Sequence, residues 1–100
     1  MAAFSVEVPH NLGKQAATDR LKSLMDHVRS QYEGQVSDMQ QKWTDNQLDF
    51  SFRTLGFGIS GTLTVEEKFV RVEGQLPFAI MAFRGTIENQ LRTEMQKALV

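Results

Sequence analysis

The stretch Gly56-Phe57-Gly58-Ile59-Ser60-Gly61 spells GxGxxG, the spacing with which a strand-to-helix turn offers backbone N–H groups to a pyrophosphate. That chemistry needs a helix to begin at the last glycine. Here Thr62-Leu63-Thr64-Val65 follows with the period of a strand, so the glycines are expected to permit a bend or bulge between two strands. The same segment approaches the GxSxG nucleophile elbow around Ser60, but position 62 is Thr where the elbow requires Gly. His10 and His27 are the only histidines. Neither has a second His or a carboxylate at a metal-binding spacing such as that of HExxH, and both are expected to be surface or supporting residues. Trp43, Phe50 and Phe52 beside Lys42 and Arg53 contain the ingredients of a base-stacking platform. The aromatics share the apolar phase of one hairpin, however, and are expected in the core. The carboxylates are scattered, with no pair that spacing marks as acid and base. The chain is therefore read as a non-enzyme, with no catalytic, cofactor-binding or metal-binding residues.

The elements that must position these residues are legible from periodicity. Phe4, Val6 and Val8 alternate with Ser5 and Glu7, the pattern of a half-buried strand, and Pro9 ends it. After a turn over His10-Asn11-Leu12-Gly13, Ala17, Leu21, Leu24, Met25, Val28 and Tyr32 recur at helical spacing up to Gly34, the expected helix-ending glycine. Asp19/Lys22 and Asp26/Arg29 are candidate supporting pairs on its polar face. Met39, Gln41 and Trp43, then Leu48, Phe50 and Phe52, alternate around a turn at Thr44-Asp45-Asn46. Ile59 to Val65 and Val70 to Leu76 form a second hairpin around Glu66-Glu67. Phe83, Ile87, Leu91, Met95 and Leu99 form the stripe of a last helix, with Glu88/Arg92 spaced as an i,i+4 pair. This helix begins either just after Pro77, with Gly85 inside it, or at Thr86 as its cap.

The order is thus β-α-β-β-β-β-α over one domain, 1–100. Single apolar stripes on each helix and single apolar faces on most strands predict an α+β two-layer sandwich, an antiparallel sheet of about five strands with two helices packed on one face. The other face, with Ser51, Arg53, Ser60, Thr62, Thr64, Arg71 and Glu73, can meet water.

Composition narrows the function classes. With 100 residues, 41% of them hydrophobic and 23% charged, the chain is a small globular domain with room for a modest cavity at most. Eleven Lys and Arg against twelve Asp and Glu leave a net charge of -1, which argues against nucleic acid as a partner. Cysteine is absent, which removes disulfides and thiolate chemistry and fits a reducing, cytoplasmic setting. Met1-Ala2-Ala3-Phe4-Ser5 lacks a basic region followed by an apolar core, so no signal peptide is expected.

The least ordinary segment is Leu76-Pro77-Phe78-Ala79-Ile80-Met81-Ala82-Phe83, eight residues without a polar side chain. It is far short of the roughly 20 that a transmembrane helix requires. Leaving Phe78, Ile80, Met81 and Phe83 all exposed would forgo about 6 to 12 kcal/mol of burial. Most of them are therefore expected to close one end of the core, with one or two free to touch an apolar surface, a ligand or a second copy of the chain. Leu76, Phe78, Ile80, Met81 and Phe83 are the candidate apolar contact.

Val8-Pro9-His10-Asn11-Leu12-Gly13, Ala17 to Leu21 with Arg20, Gly61-Thr62-Leu63-Thr64-Val65, Val70-Arg71-Val72-Glu73, Leu76-Pro77 and Phe83-Arg84-Gly85-Thr86-Ile87-Glu88 together resemble the polyhydroxyalkanoic acid system family over nearly the whole chain. The resemblance implies a cytoplasmic accessory protein of bacterial polyhydroxyalkanoate storage, partnered by the granule or its proteins and placed at the granule surface. It carries over no catalytic residue. The long amphipathic helices of phasins, which coat granules, are missing. An alternative is a carrier that holds a hydroxyacyl chain between sheet and last helix, by analogy with larger helix-grip proteins. That needs a pocket of roughly 300 Å³, which Phe50, Phe52 and Met95 would otherwise fill. A hydrolase or thioesterase stays open to assay with hydroxyacyl esters.

Overall fold

Alternation of β-branched and aromatic residues with polar ones produces five strands, and the two apolar stripes at helical spacing produce two helices laid over them. The computed structural model describes residues 2–31, 34, 37–54 and 56–99. In chain order these are β1 (Ala2–Pro9), α1 (Lys14–Gln31), β2 (Ser37–Thr44), β3 (Gln47–Thr54), β4 (Phe57–Val65), β5 (Phe69–Leu76), a 3-10 helix (Phe78–Phe83) and α2 (Arg84–Ala98). The sheet is antiparallel throughout in the order β1-β5-β4-β3-β2. The expected order of elements and two-layer arrangement are both present.

Each local signal has a visible cause. Gly13 takes φ +82° and its carbonyl accepts the first helical bond of α1 from Ala17 N–H at 3.0 Å, a conformation that suits glycine. The β2–β3 hairpin turns through Asp45-Asn46, with Asp45 at φ 55°. Asn46 then ties that turn to the end of β4: its side-chain amide donates to Val65 O at 2.6 Å, and its carbonyl accepts from Val65 N–H at 2.9 Å.

The register aligns inward-facing residues in rows. Val8, Val70 and Val65 make one row, Val6, Val72, Leu63 and Leu48 the next. The third reads Phe4, Gly74, Gly61, Phe50, Gln41. Its two glycines sit side by side under the Phe4 and Phe50 rings, where a β-carbon on either would lie within 3 Å of a ring atom and of a neighbouring strand's carbonyl oxygen. Gly61 is thus a close-packing glycine in regular pairing rather than the expected bend. The bulge lies instead between Ser37 and Gln40 on β2, with Asp38 at φ 53°, and it interrupts an edge strand that would otherwise offer a regular template.

Phe4, Val6, Val8, Leu48, Leu63, Val65, Val70, Val72 and Leu76 from the sheet meet Ala17 and Leu21 of α1 and Met95 and Leu99 of the α2 end. The outward face carries ionic and hydroxyl pairs, among them Arg71 with Glu7 and Glu73 at 3.6 Å and Thr62 donating to Asp49 at 3.1 Å.

Several expected details resolve differently. The chain turns helical directly after Pro77, but as a 3-10 helix, and α-geometry begins at Arg84, so Thr86 is not the cap. Glu88 pairs with Arg84 at 3.7 Å and accepts Ser5 N–H at 3.2 Å, closing part of the β1 edge, while Arg92 donates to Asn89 instead. On α1, Asp19 accepts from Gln15 and Lys22 lies 5.4 Å from the Trp43 ring centroid. The described part of α1 runs to Gln31 and Gly34 lies in a turn; Tyr32, and with it the expected approach of the helix to Gly34, falls outside the described residues.

Candidate functional site

Two apolar features remain after the core is assembled. The first is the 3-10 helix. Proline at position 77 fixes an extended entry at φ -58°, ψ 146°, and the tight 3-10 repeat eclipses side chains three apart, which puts Phe78 and Met81 on one line. Phe78 is 70% exposed, Met81 44% and Phe83 60%, with Ala79 and Ala82 exposed between them. Ile80 alone of the four large residues packs against the core, and Leu76 is wholly buried at the end of β5. The expectation that most of this segment seals the core is corrected: three of its four large side chains face outward, Phe78 and Met81 on the line away from the sheet and Phe83 at the N-cap of α2, where the 3-10 repeat that turns Ile80 inward gives way to α-geometry. Leu76 belongs to the core and is not available as a contact. No charged residue interrupts the patch until Arg84.

The second feature is a cleft of about 370 Å³ between the helices and the β2–β3 side of the sheet. The inward apolar side chains of β1 and β5 from Phe4 to Val8 and at Val70, Val72 and Leu76 are buried, but Met39, Gln41, Phe50 and Phe52 stay half-buried. The Phe50 and Phe52 rings lie 6.4 Å apart at 18° and form one wall. Leu24, Met25 and Val28 of α1 face them, and Gln90, Leu91 and Glu94 of α2 form the other side.

The residues with catalytic potential are kept apart. His10 is buried; its Nδ1 accepts Leu12 N–H at 3.2 Å and its Nε2 lies 3.0 Å from Glu66 O. The neutral Nε2–H tautomer satisfies both contacts, so this side chain joins the end of β1 to the β4–β5 turn. The expected surface or supporting histidine is thus a buried structural one. Its partner is a backbone carbonyl 56 positions away, which no local pattern could reveal. His27 lies on α1 in a groove with Glu94 and Lys97. Ser60 is exposed on the outer sheet face opposite Ser51 and Gln75. A broad trough of about 1180 Å³ spans that face, lined by Ser60, Thr62, Thr64, Asp49 and Glu73 and open to solvent. Gly56 and Gly58 stand in and after a turn between strands, and no helix starts at Gly61. Trp43, Phe50 and Phe52 point to the helix side rather than the outer face. Among the described residues no cluster of three His, Asp or Glu is placed to hold a metal, and no helix is long and apolar enough to cross a membrane.

Comparison with known proteins bears on this arrangement. The family model described as "Putative polyhydroxyalkanoic acid system protein" matches residues 4–99, and the chain belongs to that family. No curated protein and no solved structure gives a significant match.

Proposed function

We propose that this family member is a non-enzymatic accessory protein of polyhydroxyalkanoate storage that attaches to the granule, or to its proteins, through Phe78, Met81 and Phe83. The observation that carries this reading is the exposure of these three large apolar side chains on six consecutive uncharged residues. A monomer gains nothing from leaving them in water, whereas contact with a water-poor polyester surface would cover them. Family membership supplies the system in which such a surface exists. The cytoplasm, where that polymer would be stored, is the compartment this reading requires.

The size of the patch sets the kind of attachment. Three side chains already about half covered have roughly 3 to 5 kcal/mol left to gain by full burial. Before the costs of association that corresponds to a dissociation constant near the millimolar range. Attachment by a single molecule is therefore reversible, and retention on a granule rests on many copies or on rebinding at a surface.

Co-sedimentation with purified granules tests the reading. Phe78→Ser and Met81→Ser variants are expected to stay folded, since both side chains are exposed, and to be recovered several-fold less than the parent. Raising the salt should not release the parent, because the contact is uncharged. Unchanged recovery of both folded variants would remove this surface from the function. A shift from dimer to monomer in the same variants, without granules, would identify the partner as a second copy.

A further inference from the structure

We propose that the outer edge of β1 is a latent surface for antiparallel pairing with β1 of a second copy of this chain, and that Glu88 of α2 holds it closed. The inference does not involve Phe78, Met81 or Phe83. Two hydrogen bonds fix the direction of the β1 backbone. His10 N–H donates to Lys68 O at 2.9 Å, continuing the β1–β5 register, whereas Ser5 N–H turns the other way and donates to Glu88 Oε2 at 3.2 Å. These directions alternate along a paired strand. The backbone groups of Phe4, Val6 and Val8 therefore face β5, and those of Ala3, Ser5 and Glu7 face outward. β1 ends the sheet, its register with β5 is unbroken, and Ala3, Ser5 and Glu7 are exposed. Such a row is a template for another strand.

The strand that fits it is β1 itself. When two copies meet about a two-fold axis at Ser5, Ala3 of one stands opposite Glu7 of the other, so no two carboxylates are opposed. Each Glu7 keeps its own Arg71 at 3.6 Å. The far edge of the sheet offers β1 no equal partner, because β2 is bulged between Ser37 and Gln40 with Asp38 at φ 53°. Pairing is thus confined to a closed dimer rather than an open row of copies. Pro9 has no N–H to give and ends the template, which leaves a short one. A contact at its centre is then enough to decide whether it opens. Glu88 takes the central donor, with its side chain 21% exposed and Arg84 holding it at 3.7 Å.

Light scattering with size exclusion tests this on the full chain in a Phe78→Ser background, where the 3-10 patch cannot supply the contact. Glu88→Ala keeps a strong helix former in α2 and should give a mass about twice that of Phe78→Ser alone. Glu88→Gln should stay monomeric, since its amide oxygen still accepts Ser5 N–H. Adding Ser5→Pro to Glu88→Ala removes an N–H that β5 does not use and should restore the monomer; Ser5→Pro alone, monomeric and folded, is the control. In Glu88→Ala the Glu7 amide should exchange about tenfold more slowly at dimer-forming concentration than on dilution. A Glu88→Ala variant that is folded and monomeric, a dimer that survives Ser5→Pro, or a dimer of Glu88→Gln would overturn the proposal. None of these outcomes bears on granule recovery, which is read in the Phe78→Ser and Met81→Ser variants.

Discussion

Gly61 and Gly74 face each other across β4 and β5, and a methyl group added to either would meet a backbone carbonyl oxygen at 2.6 or 2.5 Å as well as a Phe ring. Gly61→Ala or Gly74→Ala should therefore destabilise the protein by about 1 to 3 kcal/mol, the usual cost of overpacking a filled core. Urea unfolding checks this, with a lower midpoint expected at unchanged slope. Gly61 was visible in the sequence as part of GxGxxG, and the strand period after it excluded a phosphate loop. Its reason for being glycine was not visible, because Phe50, Gly74 and Phe4 come beside it only through the register of four strands. His10 shows the same limit. Its type suggested chemistry, but the Glu66 carbonyl that occupies it is 56 positions away.

At the scale of elements, the junction of the 3-10 helix and α2 changes helical geometry without a side-chain cap. Phe83 stands at the N-cap without a side-chain hydrogen bond, and Gly85 lies in the first turn of α2 with open space around its missing β-carbon. Gly85→Ala should stabilise the helix by about 0.5 to 1 kcal/mol. In a chain of this length that raises Tm by about 2 to 8 °C, measurable by thermal unfolding. A fall in Tm would show that this turn is held by something other than helix geometry. Periodicity located both helices and all five strands, since each pattern is carried by residues within one element. It left the start of α2 divided between Pro77 and Thr86, because a 3-10 turn followed by an α-helix has neither period throughout.

Across the whole molecule, coverage falls from one side of the sheet to the other. β5 lies between two partners and its inward valines are buried, whereas β2 has one partner, a bulge and half-buried inward side chains. Amide exchange should follow that gradient: β5 amides exchanging only with global unfolding, β2 amides through local opening at lower free energy. Uniform protection over the sheet would contradict it. Local periodicity by itself determined the elements, their polar and apolar faces and the two-layer arrangement, because an amphipathic strand or helix must bury its own stripe. Only the tertiary structure decided that β1 lies beside β5, that three side chains of the 3-10 helix stay in water, and that an apolar cleft remains over β2 and β3. Whether an apolar side chain is covered depends on where two helices of finite length come to rest, and its own residue type carries no information about that.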